Sequence, residues 1–321
     1  MILQSGEKQA VFEDYNISFH DNVKPEDVSF IAESSVMKSI YKKVQDLSYE
    51  SSSVLILGAR GTGCNTVAHH IFYENKYNNS NKFIELSCYG LASALIDKKL
   101  FGSEDFSTGL LSIGSENTLF IKGLELWTAS LQNKILSYLL RNKSSASMPR
   151  LICYGTDILS KKVQEGSFSQ ELFNLLSENL LILPLLSERK EDIPLFVSLF
   201  NEKNGFKGRL SYNALQLLQS HSWNGNIPEL ENACLQISIL YAEKDFINKE
   251  DLSLIVRDNV FETAIKYNPN VSLEDMINRY IELSIEHFKS KRESAKALGI
   301  SVKTIYNKIK SGDVVVAVGS D

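Results

Sequence analysis

Val54-Leu-Ile-Leu-Gly-Ala-Arg-Gly-Thr-Gly-Cys-Asn65 sets four apolar residues directly against a glycine-rich turn. A short, fully apolar run closed by glycine reads as a buried strand. Helical spacing begins at once, from Thr66 to Glu74. A strand, a glycine turn and a helix N-terminus together make a cradle of backbone N–H groups which, with the helix dipole, suits an anion. Gly58 and Gly63 hold two fixed places of the pattern G-x-x-x-x-G-K-[ST], with Arg60, Gly61 and Thr62 between them. Cys64 stands in the lysine place and Asn65 in the hydroxyl place. That lysine is the point charge on the β- and γ-phosphates and the hydroxyl holds Mg²⁺; a neutral thiol does neither. Taken alone, the turn leaves open a phosphate cradle and a plain strand-to-helix bend.

Further short apolar runs lie at Phe83 to Cys88, Thr118 to Ile121 and Leu151 to Tyr154. Helical patterns separate them at Leu91 to Leu100 and Thr128 to Arg141, and another precedes them at Ser35 to Asp46. This alternation predicts an α/β fold with a parallel sheet covered on both faces. From Asp192 to Val260 the pattern predicts helices without a strand: Pro194 to Glu202, Ser211 to Ser220 and Ile227 to Ala242. Residues 1–28 read as a polar arm, and Asn268-Pro-Asn marks a linker over 266–271.

Lysine and arginine number 34 against 39 acidic residues, for a net charge of −5 over 321 residues, which excludes a uniformly basic nucleic-acid coat. The four cysteines lie far apart, with no metal spacing around them or around His69 and His70. A disulfide scaffold or zinc ribbon is excluded, and a reducing cytoplasm fits. The opening residues lack the basic-then-apolar pattern of a signal peptide. No apolar run reaches the ~20 residues of a membrane span.

Eight segments occur in one order: Phe30-Ile-Ala-Glu-Ser-Ser-Val-Met37, the turn at 58–65, Phe83-Ile-Glu-Leu-Ser-Cys88, Leu100-Phe-Gly102, Thr118-Leu-Phe120, Leu183-Pro184, Glu188-Arg-Lys-Glu-Asp-Ile-Pro194, and Ser222-Trp-Asn-Gly-Asn226 with Glu229-Leu-Glu-Asn232. The order resembles the central AAA+ domain of bacterial sigma-54-dependent activators, the enhancer-binding proteins. The resemblance implies a P-loop AAA+ parallel sheet over residues 29–188, a helical lid over 189–265, and an all-α Fis-type helix-turn-helix domain over 272–321.

Departures from that family are concentrated where its chemistry sits. The family's Asp-Glu pair after the strand at Thr118 to Ile121 is replaced by Lys122-Gly123. Its sigma-contacting loop is reduced to Asp105-Phe-Ser-Thr108 before Gly109. Ser169 and Leu175 stand in the arginine-finger places, Gly155-Thr156 in that of the first sensor, and Pro228 in that of the second sensor arginine. One arginine finger is worth about 10³–10⁵ in rate. With metal carboxylate, positioning glutamate and phosphate lysine missing too, even strongly non-additive losses leave no ATPase. The expectation is a degenerate enzyme with no catalytic residues, no metal and no required cofactor. ATP, ADP or cyclic di-GMP, to which some relatives respond, are the ligands the resemblance suggests. Lys122 is expected at a strand end beside the turn, where it either completes a metal-independent anion site with Arg60 and the backbone of Gly61 to Cys64 or extends into solvent.

Between His287 and Gly312, seven lysines and arginines face one glutamate, a local charge of +6 in an acidic chain. Ser290 to Lys310 reads as helix, turn at Gly299 and helix, with Ala295, Leu298, Ile300, Ile305 and Ile309 packing between the two helices. Ser301, Val302, Lys303 and Thr304 open the second helix and are expected at base edges, with Asn307 one turn on; Arg292, Lys308 and Lys310 are expected on phosphates. The expected function is sequence-specific transcription regulation by a hydrolysis-dead core used for oligomerisation or ligand sensing. The expected partners are double-stranded DNA, RNA polymerase and further copies of the chain. Two alternatives stand beside it: a conventional ATP-hydrolysing sigma-54 activator, and an interaction protein that joins or inhibits an active AAA+ relative.

Overall fold

The computed structural model describes residues 17–20, 29–74, 82–103, 109–142, 148–252, 255, 273–288 and 290–311. The four apolar runs become strands β2 (Val54–Leu57), β3 (Phe83–Ser87), β4 (Thr118–Lys122) and β5 (Arg150–Gly155). They join β1 (Ile17–His20) and β6 (Asn179–Ile182) in one sheet of order β1-β3-β4-β5-β2-β6. All neighbours run parallel except β1, which pairs antiparallel with β3.

Each strand alternates its side chains between two cores. Leu55, Leu86, Leu119, Ile121 and Cys153 face one, with α3 (Ser93–Phe101), α4 (Ala129–Asn142), α5 (Asp157–Gln164) and α6 (Gln170–Leu176) packed there. Val54, Ile56, Phe83, Phe120 and Ile152 face the other, under α1 (Ser35–Ser48) and α2 (Cys64–Tyr73). Ser34 caps α1 by accepting from the Met37 N–H, and Met37, Ile40, Val44 and Leu47 bury one stripe of that helix. Each such side chain contributes about 1.5–3 kcal/mol.

A third core gathers α7 (Ile193–Lys203), α8 (Tyr212–Ser220), α9 (Asn226–Leu240) and α10 (Lys249–Leu252) around Phe200, Leu218, Trp223, Leu230 and Ile237. Two expectations are corrected. The stretch expected as an arm contains β1, and the region expected without strands holds a two-residue parallel pair, β7 (Arg209–Leu210) with β8 (Phe246–Ile247).

Residues 257–321 form a separate compact unit. Its described helices are α11 (Leu273–Phe288), α12 (Lys291–Leu298) and α13 (Val302–Lys310), closing on Ile281, Ile285, Ala295 and Ile305. The expected linker at 266–271 and the apolar tail Val314 to Val318 lie outside the described residues. Among the described residues, no helix is long and apolar enough to cross a membrane.

Candidate functional site

The glycine-rich turn has the geometry its sequence requires. Gly61 and Gly63 take φ of +80° and +103°, a region costly for residues with a Cβ. Gly63 opens α2 with no side-chain cap, so the first helical N–H groups stay available to an anion. Thr62 is buried and its hydroxyl donates to the Ala59 carbonyl at 2.8 Å. Gly58 is held between strands: its N–H donates to the Gly155 carbonyl and its own carbonyl accepts from the Tyr154 hydroxyl at 3.0 Å.

The carbonyl side of this turn is occupied by the lid. Ile227 N–H donates to the Gly61 carbonyl at 3.1 Å, Asn226 Nδ2 to that of Arg60 at 2.9 Å, and Arg189 Nη2 to that of Thr62 at 2.6 Å. Asn226 Oδ1 accepts in return from the Leu186 N–H at 2.9 Å. A Cβ on Gly61 would lie 2.7 Å from the Gly225 carbonyl oxygen and 2.8 Å from Pro228 Cδ. Arg189 is 2 % exposed, and its burial lowers the guanidinium pKa against the opposing pull of Asp192. Asp192, fully buried, accepts from the Glu33 and Ser34 N–H groups at 2.7 Å each. Between turn and lid remains a cavity of about 30 Å³, lined by Phe30, Ile31, Gly63, Val67, Phe196 and Ile227 among others. That is room for about two waters.

At the strand ends the charges are rearranged. Lys122, expected either as a cation for an anion site or as a solvent-reaching stem, is instead ion-paired with Glu85 of the neighbouring strand. Both side chains are mostly buried, and Lys122 Nζ also lies 3.5 Å from Asn65 Oδ1. A lysine so neutralised offers little surplus charge to a phosphate. Cys64 is desolvated, which pushes its thiol up to about 11 and keeps it neutral. Arg60 lies over the Tyr89 ring, 4.7 Å from its centroid. Tyr89 hydroxyl and Thr156 Oγ1 both donate to the buried Glu125 Oε1, at 3.1 and 2.9 Å. Ser169, at a finger place, caps α6 by accepting from Leu172 N–H, and Leu175 packs, partly buried, against the core on that face of the sheet. Among the described residues no group of His, Cys, Asp and Glu is arranged to hold a metal ion.

The chain leaves α3 at Gly102 and is back against it at Gly109. A Cβ there would fall 2.3 Å from the Phe101 carbonyl carbon and 2.4 Å from the Leu100 oxygen. Residues 104–108, which hold the shortened loop, lie outside the described residues.

In the C-terminal unit Gly299 ends α12 in the left-handed region at φ +69°, and Ser301 caps α13 by accepting from Thr304 N–H at 3.0 Å. The Thr304 and Ser301 hydroxyls also bond each other. Lys303, Asn307, Lys310 and Arg292 are exposed. Val302 is not at the open face: it packs on the Ile281–Ile305 core. Lys308 is paired with Glu274 at 3.3 Å. Exposed Tyr306 shares the helical face of Lys303 and Lys310, a position the sequence reading passed over although the 3–4 spacing marks it. Glu85, Tyr89, Glu125, Arg189 and Asn226 were missed too, since each acquires meaning only through partners distant in sequence.

Residues 30–181 match the Sigma-54 interaction domain and residues 187–266 the AAA+ ATPase lid domain. The chain is 28 % identical over 310 residues to a signal-transduction and transcriptional-control protein of Clostridium beijerinckii, covering 89 % of this chain and 49 % of that one. It is 26 % identical over 326 residues to the putative uric acid sigma-54-dependent transcriptional regulator UacR of Escherichia coli, covering 91 % and 55 %. Identity reaches 35 % over 180 residues with the putative sigma L-dependent transcriptional regulator YplP of Bacillus subtilis, covering 56 % and 52 %. The chain thus spans about half the length of these curated relatives. Among solved structures, NtrX of Brucella abortus in complex with ATP superposes with a TM-score of 0.65 at 22 % identity, over 89 % of this chain and 70 % of that one, a likeness of fold.

Proposed function

Starting from a chain that belongs, over residues 30–266, to the sigma-54-dependent regulators with their AAA+ lid, we propose that it is a DNA-binding transcription regulator whose core does not hydrolyse ATP. The observation that carries this reading is the Lys122–Glu85 ion pair. A cation stands where hydrolysis needs a metal-binding carboxylate, and it is held by a neighbouring carboxylate. The neutral Cys64, the capping Ser169 and the packed Leu175 support the same reading from the phosphate and finger sides. The shortness of the sequence before Gly109, only Asp105-Phe-Ser-Thr108, supports the absence of a sigma-contacting loop, so regulation proceeds by repression or through another polymerase form.

In this reading the core serves assembly with further copies, or senses a ligand, and the C-terminal helices read double-stranded DNA. Ser301, Lys303, Thr304 and Asn307 face base edges; Arg292, Lys310 and, once released from Glu274, Lys308 hold phosphates. The test is a pair of substitutions in a DNA-binding titration against salt. Lys303→Ala relaxes sequence preference. Lys310→Ala weakens all sequences alike and reduces the log–log salt slope by about 0.9. Equal losses on specific and random DNA for both variants would sink this division of roles. ATP-dependent open-complex formation with sigma-54 polymerase would sink the whole proposal.

A further inference from the structure

Beside the replacements that support the non-hydrolysing reading, one of them, Gly123, fits closely against Tyr89. Gly123 stands in place of the acidic residue after Lys122 and takes φ +89° at the end of β4. A Cβ on it would lie 3.3 Å from both Cε1 and Cζ of Tyr89, so the ring rests on the Gly123 backbone. The guanidinium of Arg60, from the glycine-rich turn, also lies over that ring, 4.7 Å from its centroid. Its hydroxyl is tied to Glu125 Oε1, and Glu125 is tied in turn to Thr156 and, through its carbonyl, to Lys162 Nζ at 2.7 Å. Burial and the Glu125 carboxylate raise the Tyr89 pKa, so the phenol stays protonated and keeps donating. The ring is therefore fixed between the turn and the end of β4 by contacts in three directions.

We propose that Tyr89 is a specificity stop: it fills the space beyond the turn that a terminal phosphate and an attacking water would need, and Gly123 is the residue that makes room for it. This rests on the reading of the core as non-hydrolysing and adds a ligand class to it. Any nucleotide taken by the turn carries a diphosphate or less, and triphosphates are discriminated against.

The test is calorimetric titration of the full chain and its Tyr89→Ala and Tyr89→Phe variants with ADP and with a non-hydrolysable ATP analogue. Tyr89→Ala is expected to raise the affinity ratio of triphosphate to diphosphate by about tenfold or more, the scale on which a shaped pocket separates near-isosteres. Tyr89→Phe, which keeps the ring, leaves that ratio within about threefold of the wild type. An unchanged ratio in folded Tyr89→Ala, or no triphosphate binding by it, overturns the proposal. A second measurement does not depend on ligand. Gly123→Ala lowers the urea midpoint of the wild type, and lowers it by less in the Tyr89→Ala background; equal shifts overturn the packing argument. Turnover of ATP by the wild type would instead refute the non-hydrolysing reading, and the analogue titration would still report on Tyr89.

Discussion

Replacing Asn226 by alanine removes the most connected side chain between turn and lid. The residue is 1 % exposed and takes φ +56°. Its amide donates to the Arg60 carbonyl and accepts from Leu186 N–H, both at 2.9 Å. Leu186 is fully buried, so its orphaned donor costs about 1–3 kcal/mol. The Arg60 carbonyl lies at an exposed residue, where water replaces much of the lost bond, at about 0.5–1.5 kcal/mol. Alanine also tolerates the left-handed region less well than asparagine, by about 1 kcal/mol. Together these give about 2.5–5.5 kcal/mol of destabilisation. Asn226→Gly loses the same two bonds without the backbone strain and is expected to be milder by about 1 kcal/mol. Urea denaturation followed by tryptophan fluorescence reads this directly, because Trp223 is buried in the lid core three residues earlier. A loss below about 1 kcal/mol for alanine would refute the latch as an energetic element. Glycine proving as costly as alanine would refute the backbone part.

Three further outcomes are expected. Lys122→Met removes the cation paired with mostly buried Glu85 and costs up to about 3–5 kcal/mol in denaturant titration, whereas the double variant with Glu85→Leu recovers most of the loss; equal stability of the two would remove the ion pair from the account. Cys64, partly exposed but raised to about 11 by burial, reacts with iodoacetamide at pH 8 about a hundredfold more slowly than a free thiol, with a rate still climbing towards pH 11, and a plateau below pH 9 would contradict its assignment as a neutral thiol. Lys99 is 1 % exposed and burial lowers its ammonium to about 8 from 10.5, so its penalty on the folded state is complete below pH 8 and fades as pH rises to 10.5. The urea midpoint of the wild type should therefore rise relative to Lys99→Met between pH 8 and 10; parallel curves would refute the shift.

What could be read along the chain followed from period and punctuation. Val54-Leu-Ile-Leu57 and Thr118-Leu-Phe-Ile121 are buried on both faces of the sheet, and a continuous apolar run is what such strands require. Strand β6 was hidden because Asn179–Ile182 runs on into Leu183-Pro-Leu-Leu186 without a turn residue between. Strand β1 owes its state to pairing with β3 across more than sixty residues, which local propensity does not encode. The glycines of the turn were legible, but half of their reason was not: Gly61 must be glycine for its φ and equally for Gly225 and Pro228 of the lid. Lys122 announced a lost metal site, yet Glu85, its partner across two adjacent strands, looked like an ordinary strand residue. Val302 shows the opposite error, since a helix-opening position expected at DNA was claimed by the core.

The central claim is that the core does not turn over ATP, and steady-state phosphate release tests it most directly. The 321-residue chain with ATP and Mg²⁺, with and without double-stranded DNA, should release phosphate at the rate of a protein-free control. Turnover that follows the protein through purification, and that disappears when Gly61 is replaced by a bulky residue, would contradict it.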